Sequence, residues 1–245
     1  MSKENKKLIY LVFIFAAMIG LSYVKGITKI EKDVQVVVSV SQPVSSKEIY
    51  LGKADSKQVI FTFDGGSGNQ STREILNALE KHNVKSSFFL TGKWVEENPY
   101  LVYRINKAGH EIYNHTYNHP YLTSLTEEEI KNELNMMDQA LYKVIGRTSK
   151  PYFRPPYGDR DDRVKAIAAS EGYQSVFWTT DAMDWLELSG GETNDSVISR
   201  INVNLRPGAI YLMHIGDKIT GEILDKVLTD IEDLDYKIVP LTQGI

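Results

Sequence analysis

From residue 58 onward the apolar positions switch repeatedly between short continuous runs and helical spacing. Val59-Ile60-Phe61-Thr62-Phe63 is an almost unbroken apolar run, the pattern of a strand covered on both faces. Ser71 and Glu74 stand at capping-box spacing before a helix whose Ile75, Leu76 and Leu79 share a face. Ser86-Ser87-Phe88-Phe89-Leu90 reads as the second strand. Asn98 then caps a helix with Pro99 at its first position and Gly109 beyond its end. Residues 111–115 read as a third strand.

The next helix carries the strongest pattern. Thr126 and Glu129 form a capping box, and Leu125 and Ile130 occupy the hydrophobic-staple positions. Ile130, Leu134, Met137, Leu141 and Val144 follow at helical spacing, and Gly146 stops the helix. This methionine-containing stripe is core packing. Further strands are expected at 151–153, 174–179, 209–214 and 236–239, and helices at 162–171, 195–204 and 221–234. Alternating strands and helices imply parallel strands with right-handed crossovers. The fold class is therefore α/β. About seven strand-helix units in a domain over 56–245 suggest a distorted (β/α) barrel rather than an open sheet, although pattern alone does not decide between them.

The N-terminus has a different character. Lys3, Lys6 and Lys7 precede an uncharged stretch over 8–24, which Lys25 ends. Its length is at the short end for a membrane-spanning helix. The lysine bias places residues 1–7 in the cytoplasm and the domain outside. No small-residue cleavage site stands out, so an uncleaved signal anchor is favoured over a secreted, cleaved form. Residues 25–55 form a linker, with 34–44 as an extended stalk or an edge strand.

Composition removes several classes. The chain has no cysteine, which excludes disulfide scaffolds and thiol nucleophiles and leaves nitrogen and oxygen donors for any metal. A net charge of −4 without a basic run gives no footprint for nucleic acid.

What remains is a set of polar groups at expected strand C-termini, the face that carries the active site in barrels. His115 and His119 are four residues apart beyond a strand end and before Pro120, so a loop must bring the rings together. Asp64 ends the first strand and could be a simple cap. Arg154 precedes a rigid Pro155-Pro156 turn. Asp181 and Asp184 precede Trp185, and His214 ends a strand, where a buried neutral histidine is the alternative. His82 and His110 read as surface or structural. Two imidazoles, a carboxylate, an arginine, an acidic pair and a lone histidine are the parts of a metal-assisted hydrolase.

Five segments in this order resemble the polysaccharide deacetylases, the NodB-homology group of carbohydrate esterases. They are Thr62-Phe63-Asp64-Gly65-Gly66, His115-Thr116-Tyr117-Asn118-His119, Arg154-Pro155-Pro156-Tyr157-Gly158, Asp181-Ala182-Met183-Asp184-Trp185 and Leu212-Met213-His214. The resemblance spans roughly 55–245. It implies that His115 and His119 hold a divalent metal, with zinc the first choice, and that Asp64 is the general base. It implies that Arg154 pairs with and orients Asp64, and that the Tyr157 N–H faces the developing oxyanion. His214 is then the general acid, with Asp184 as its partner and Asp181 beside it. Trp185 and Leu212 would line an acetyl-methyl pocket.

Two positions depart from the family pattern. Tyr113 replaces a usual glycine. Gly65 stands where a second aspartate, the third metal ligand, is expected, and Asn69 or another loop oxygen is a candidate substitute. The implied reaction is hydrolysis of N-acetyl groups on a cell-wall glycan, with peptidoglycan N-acetylglucosamine as first choice. Chitin-type oligomers and O-acetylated polysaccharides use the same machinery. The alternatives are a metal-free glycan-binding pseudoenzyme and a purely structural barrel. No oligomeric state is implied.

Overall fold

The structure, a computed structural model, describes residues 45–245. The expected membrane segment at 8–24, the segment before it and most of the linker lie outside the described residues. Among the described residues no helix is long and apolar enough to cross a membrane.

Eight strands form one parallel sheet with helices packed on it. They are β1 (Gln58–Gly65), β2 (Ser87–Leu90), β3 (Glu111–Asn114), β4 (Tyr152–Phe153), β5 (Gln174–Ser175), β6 (Thr180–Asp181), β7 (Ile210–His214) and β8 (Lys237–Ile238). The order is β5-β4-β3-β2-β1-β7-β6, with β8 pairing to the start of β1. The helices are α1 (Thr72–Lys81), α2 (Gly92–Glu97), α3 (Pro99–Lys107), α4 (Glu127–Ile145), α5 (Asp162–Ser170), α6 (Asn194–Val203), α7 (Lys218–Asp233) and α8 (Leu241–Gly244).

The two ends of this order are neighbours in sequence. β5 and β6 lie at opposite edges, yet residues 176–179 alone connect them, with no helix between. Four extended residues reach roughly 13–14 Å, so the sheet must curl until its edges nearly meet. The segment just before β1 lines this seam. Ile49 N–H donates to Ser175 O and Ile49 O accepts from Phe177 N–H; Tyr50 O accepts from the Thr179 hydroxyl. The result is a curled parallel sheet consistent with a distorted (β/α) barrel. Eight strands, several of only two residues, with one helix-free connection make seven strand-helix units among the described residues, in line with the expected count.

Core packing follows the apolar runs. Phe61, Phe63, Phe88 and Leu90 join Ile75, Leu79 and the inner faces of α6 and α7 in the main cluster. The α4 reading holds: Thr126 and Glu129 form the capping box, and Gly146 closes the helix with φ at 66°. Ser71 differs. It makes no cap hydrogen bond to α1. Its hydroxyl instead donates to Asp217 O and accepts from Gly221 N–H, tying α1 to the start of α7. The short helix α2, capped by Thr91, was not anticipated.

Candidate active site

Each group singled out in the sequence sits at the C-terminal end of a strand. Asp64 lies at the end of β1, His115 follows β3, Arg154 follows β4, Asp181 ends β6 and His214 ends β7. Asp64 and His214 are register partners across β1 and β7, so their side chains leave the sheet on the same face. The loops above are held in costly conformations. Six described non-glycine residues have positive φ, and Thr116, His119, Tyr157 and Met183 are four of them. That places most of this strain in the loops that carry the candidate chemistry.

The centre is a buried ion pair. Arg154 is 0% exposed and Asp64 5%. Arg154 Nη1 donates to Asp64 Oδ1 at 2.7 Å and to the Thr62 hydroxyl at 2.8 Å. Its remaining nitrogens donate to Val176 O and Phe177 O, both at 3.3 Å. The guanidinium also lies 4.2 Å from the Phe89 ring centroid. Burial pushes the Arg154 pKa down, and Asp64 opposes that shift.

Two imidazoles converge beside Asp64. The His115 Nδ1–H donates to Arg154 O at 2.8 Å, which leaves Nε2 as the bare nitrogen. That Nε2 lies 3.2 Å from His119 Nε2 and 3.4 Å from Asp64 Oδ2. Burial pushes both histidines towards the neutral form, His119 down to about 3. Two Zn–N bonds of about 2.0–2.1 Å at a tetrahedral angle would set their nitrogens about 3.3 Å apart. The pair therefore fits two ligands of one ion.

The third donor is missing, and its place is filled. A Cβ built on Gly65 would lie 2.5 Å from Ile215 Cδ1 and 2.8 Å from Leu90 Cδ2, and both side chains are fully buried. Asn69 does not substitute: it is exposed, and its amide donates to Asn98 Oδ1 at 2.6 Å.

A second cluster faces this one. His214 Nδ1 pairs with Asp184 Oδ1 at 2.9 Å, and His214 N–H donates to Asp184 Oδ2 at 2.7 Å. The buried Thr220 hydroxyl donates to the same oxygen. Burial would depress the His214 pKa, but Asp184, then Asp64 and Asp181, more than offset it and push it up to about 9. Asp184, His214 and Asp217 bring potential ligand atoms within 4.8 Å of one another. Both Asp184 oxygens are already engaged by His214 and Thr220, so this arrangement suits an oriented proton donor better than an ion. Asp181 Oδ1 accepts from Met183 N–H at 2.8 Å, and burial raises its pKa.

The remaining candidates lie around the mouth. Tyr157 has φ of 57°, and its N–H makes no hydrogen bond among the described residues. Its ring stacks edge-on against His119. Trp185 is 47% exposed and Leu212 is buried. Leu212 lies two residues before His214 and so shares its face of β7. His82 and His110 are structural. His82 bridges Asp225 and Glu232, and buried His110 accepts from Ser86 N–H.

Sequence reasoning missed three supporting residues. Thr62 and Thr220 carry no local mark, because their partners are distant in the chain. Glu133 carries one: it is a charged residue on the apolar stripe of α4. Its carboxylate accepts from Tyr117 N–H, Asn118 N–H and the Asn118 amide at 2.9, 2.8 and 2.6 Å, and so holds the loop between the two histidines.

Similarity to known proteins gives the family. Residues 51–176 match the polysaccharide deacetylase family. The chain is 35% identical over 187 residues to the peptidoglycan-N-acetylmuramic acid deacetylase PdaA of Bacillus subtilis, covering 76% of this chain and 71% of that one. It is 33% identical over 196 residues to a peptidoglycan-N-acetylglucosamine deacetylase of Bacillus cereus, covering 78% and 70%. The crystal structure of a CE4 family pseudoenzyme from Bacillus anthracis is similar with a TM-score of 0.77 at 33% identity, over 82% of this chain and 69% of that one. A mutant of that pseudoenzyme has restored enzymatic activity. With a family match over half its length and relatives of this identity and coverage, the chain belongs to the polysaccharide deacetylase family.

Proposed function

We propose that the protein hydrolyses N-acetyl groups on peptidoglycan, releasing acetate, with the domain held outside the membrane by the 8–24 stretch. The observation that carries the reading is the convergence of Asp64, the His115–His119 pair and the Asp184-backed His214 at one end of the sheet. N-acetylglucosamine is the first acceptor to test. N-acetylmuramic acid is the second, because a relative is named for it.

His115 and His119 would hold the divalent metal, zinc first. When bound, such an ion polarises the acetamide carbonyl and acidifies a water. The chain's own groups do the rest. Asp64, fixed by Arg154, accepts the proton of the attacking water. The Tyr157 N–H points at the oxyanion as charge develops there. His214, protonated at neutral pH, gives its proton to the leaving amine, and Asp184 keeps its ring in place. Trp185 and Leu212 flank the acetyl methyl.

A second reading has its own support. Gly65 stands where the family's third ligand is expected, and a relative with a TM-score of 0.77 is a pseudoenzyme. In that reading the chain binds wall glycan without turning it over. Acetate release by the full chain from peptidoglycan, with zinc and with chelator, separates the two. The expected result is metal-dependent release that falls by about two to four orders of magnitude in Asp64→Asn and in His214→Ala. Absence of release with every metal supplied sinks the deacetylase reading, and unchanged rates in either variant sink the residue assignment.

A further inference from the structure

A row of aromatic rings leads away from the histidine pair and ends in solvent. The Tyr157 ring lies 4.4 Å from His119, edge to face, and Tyr121 stacks on Tyr157 at 4.2 Å and 16°. Tyr121 is 58% exposed and Tyr157 59%. Stacked rings this exposed bury little apolar surface, so core packing does not account for them. They are nonetheless held rigidly. The loop carrying Tyr121 is clamped to the loop carrying Tyr157 by Asp159, which accepts from Thr123 N–H at 2.8 Å and from its hydroxyl at 2.9 Å. Arg163 donates to Thr123 O at 3.1 Å and braces the same loop from α5.

We propose that Tyr121, stacked on Tyr157, is a binding subsite for a neighbouring sugar ring of the glycan whose acetamide sits at the histidine pair. The inference rests on the glycan reading of that site. A ring face carries negative quadrupole charge, and the C–H face of a pyranose presents the complementary positive edge. The clamp fixes both loops before the ligand arrives, so little ordering remains to be done on binding. The Tyr157 ring packs against both His119 and Tyr121, which suits Tyr121 to the next unit along the chain rather than to the acetamide itself. Its role is selection for chain length. It takes no part in the proton transfers.

The test uses the full chain and compares wild type with Tyr121→Ala and Tyr121→Trp. Acetate release is followed on a disaccharide and a pentasaccharide of N-acetylglucosamine, and calorimetry gives the Kd for the fully deacetylated pentasaccharide. Tyr121→Ala should raise KM and Kd for the pentasaccharide about tenfold. It should leave kcat and the disaccharide KM within about twofold, and Tyr121→Trp should behave as wild type. An equal loss on both lengths would mean that the ring merely supports Tyr157 and His119, and would overturn the proposal, as would no change on either. If no acetate is released but pentasaccharide binding still depends on Tyr121, the subsite stands and the deacetylase reading falls. No pentasaccharide binding by wild type removes the subsite itself.

Discussion

His214 shows how a side chain is tuned by competing effects. Burial alone would make it a weak base, yet three carboxylates around it reverse the shift and set its pKa at about 9. The sign matters for activity. A general acid must be protonated, so the rate should hold through neutral pH and fall as pH rises through about 9. Asp184→Asn removes the largest of the raising influences. The alkaline limb of the kcat/KM profile should then move down, towards the ordinary histidine value near 6.5. An unmoved limb would show that another group donates the proton. At Gly65 the decisive effect is packing. A single Gly65→Asp change drives a side chain into the buried Ile215 and Leu90 methyls and should cost about 1–3 kcal/mol in chemical denaturation. Gly65→Asp with Ile215→Ala relieves the closer of the two contacts and should bind zinc more tightly than the native chain. Equal zinc affinity in all three proteins would show that position 65 does not reach the ion.

Among the elements, α4 carries both core and chemistry. Its stripe of Ile130, Leu134, Met137 and Leu141 packs inward, while Glu133 on the same face anchors the histidine loop. Glu133→Ala removes the charged acceptor of two part-buried N–H groups, a loss of about 1–3 kcal/mol. Zinc affinity should fall with it, measurable by competition with a chelator. Unchanged affinity would mean that the loop holds its shape unaided. This helix was legible end to end because its caps and period agree. The Ser71 pattern misled for a physical reason. Its hydroxyl finds a better use across the interface with α7, and a pattern three residues long cannot register a partner some 150 residues away. Thr91 was overlooked as a cap because α2 is too short to show a period.

For the whole molecule, the long strands β1 and β7 were readable because burial on both faces demands continuous apolar runs. Of the two-residue strands, β4, β5 and β8 fall inside the expected strands at 151–153, 174–179 and 236–239, and β6 alone was missed, since pairing across the sheet defines it and its own composition does not. The site was legible for a related reason: its residues cluster in short segments at strand ends, where sequence order and spatial order coincide. Tertiary partners such as Thr220 escape that correspondence. The membrane segment read at 8–24 belongs to a part of the chain the structure does not describe.

The four-residue link that joins the two edges of the sheet has a second job. Val176 and Phe177, the carbonyls that receive Arg154, belong to that link. Whatever parts the seam also withdraws two acceptors from the guanidinium that holds Asp64. Asp64, the proposed base, thus works as a gauge of closure. A partly opened barrel would lose the arrangement of its candidate site before it lost its helices.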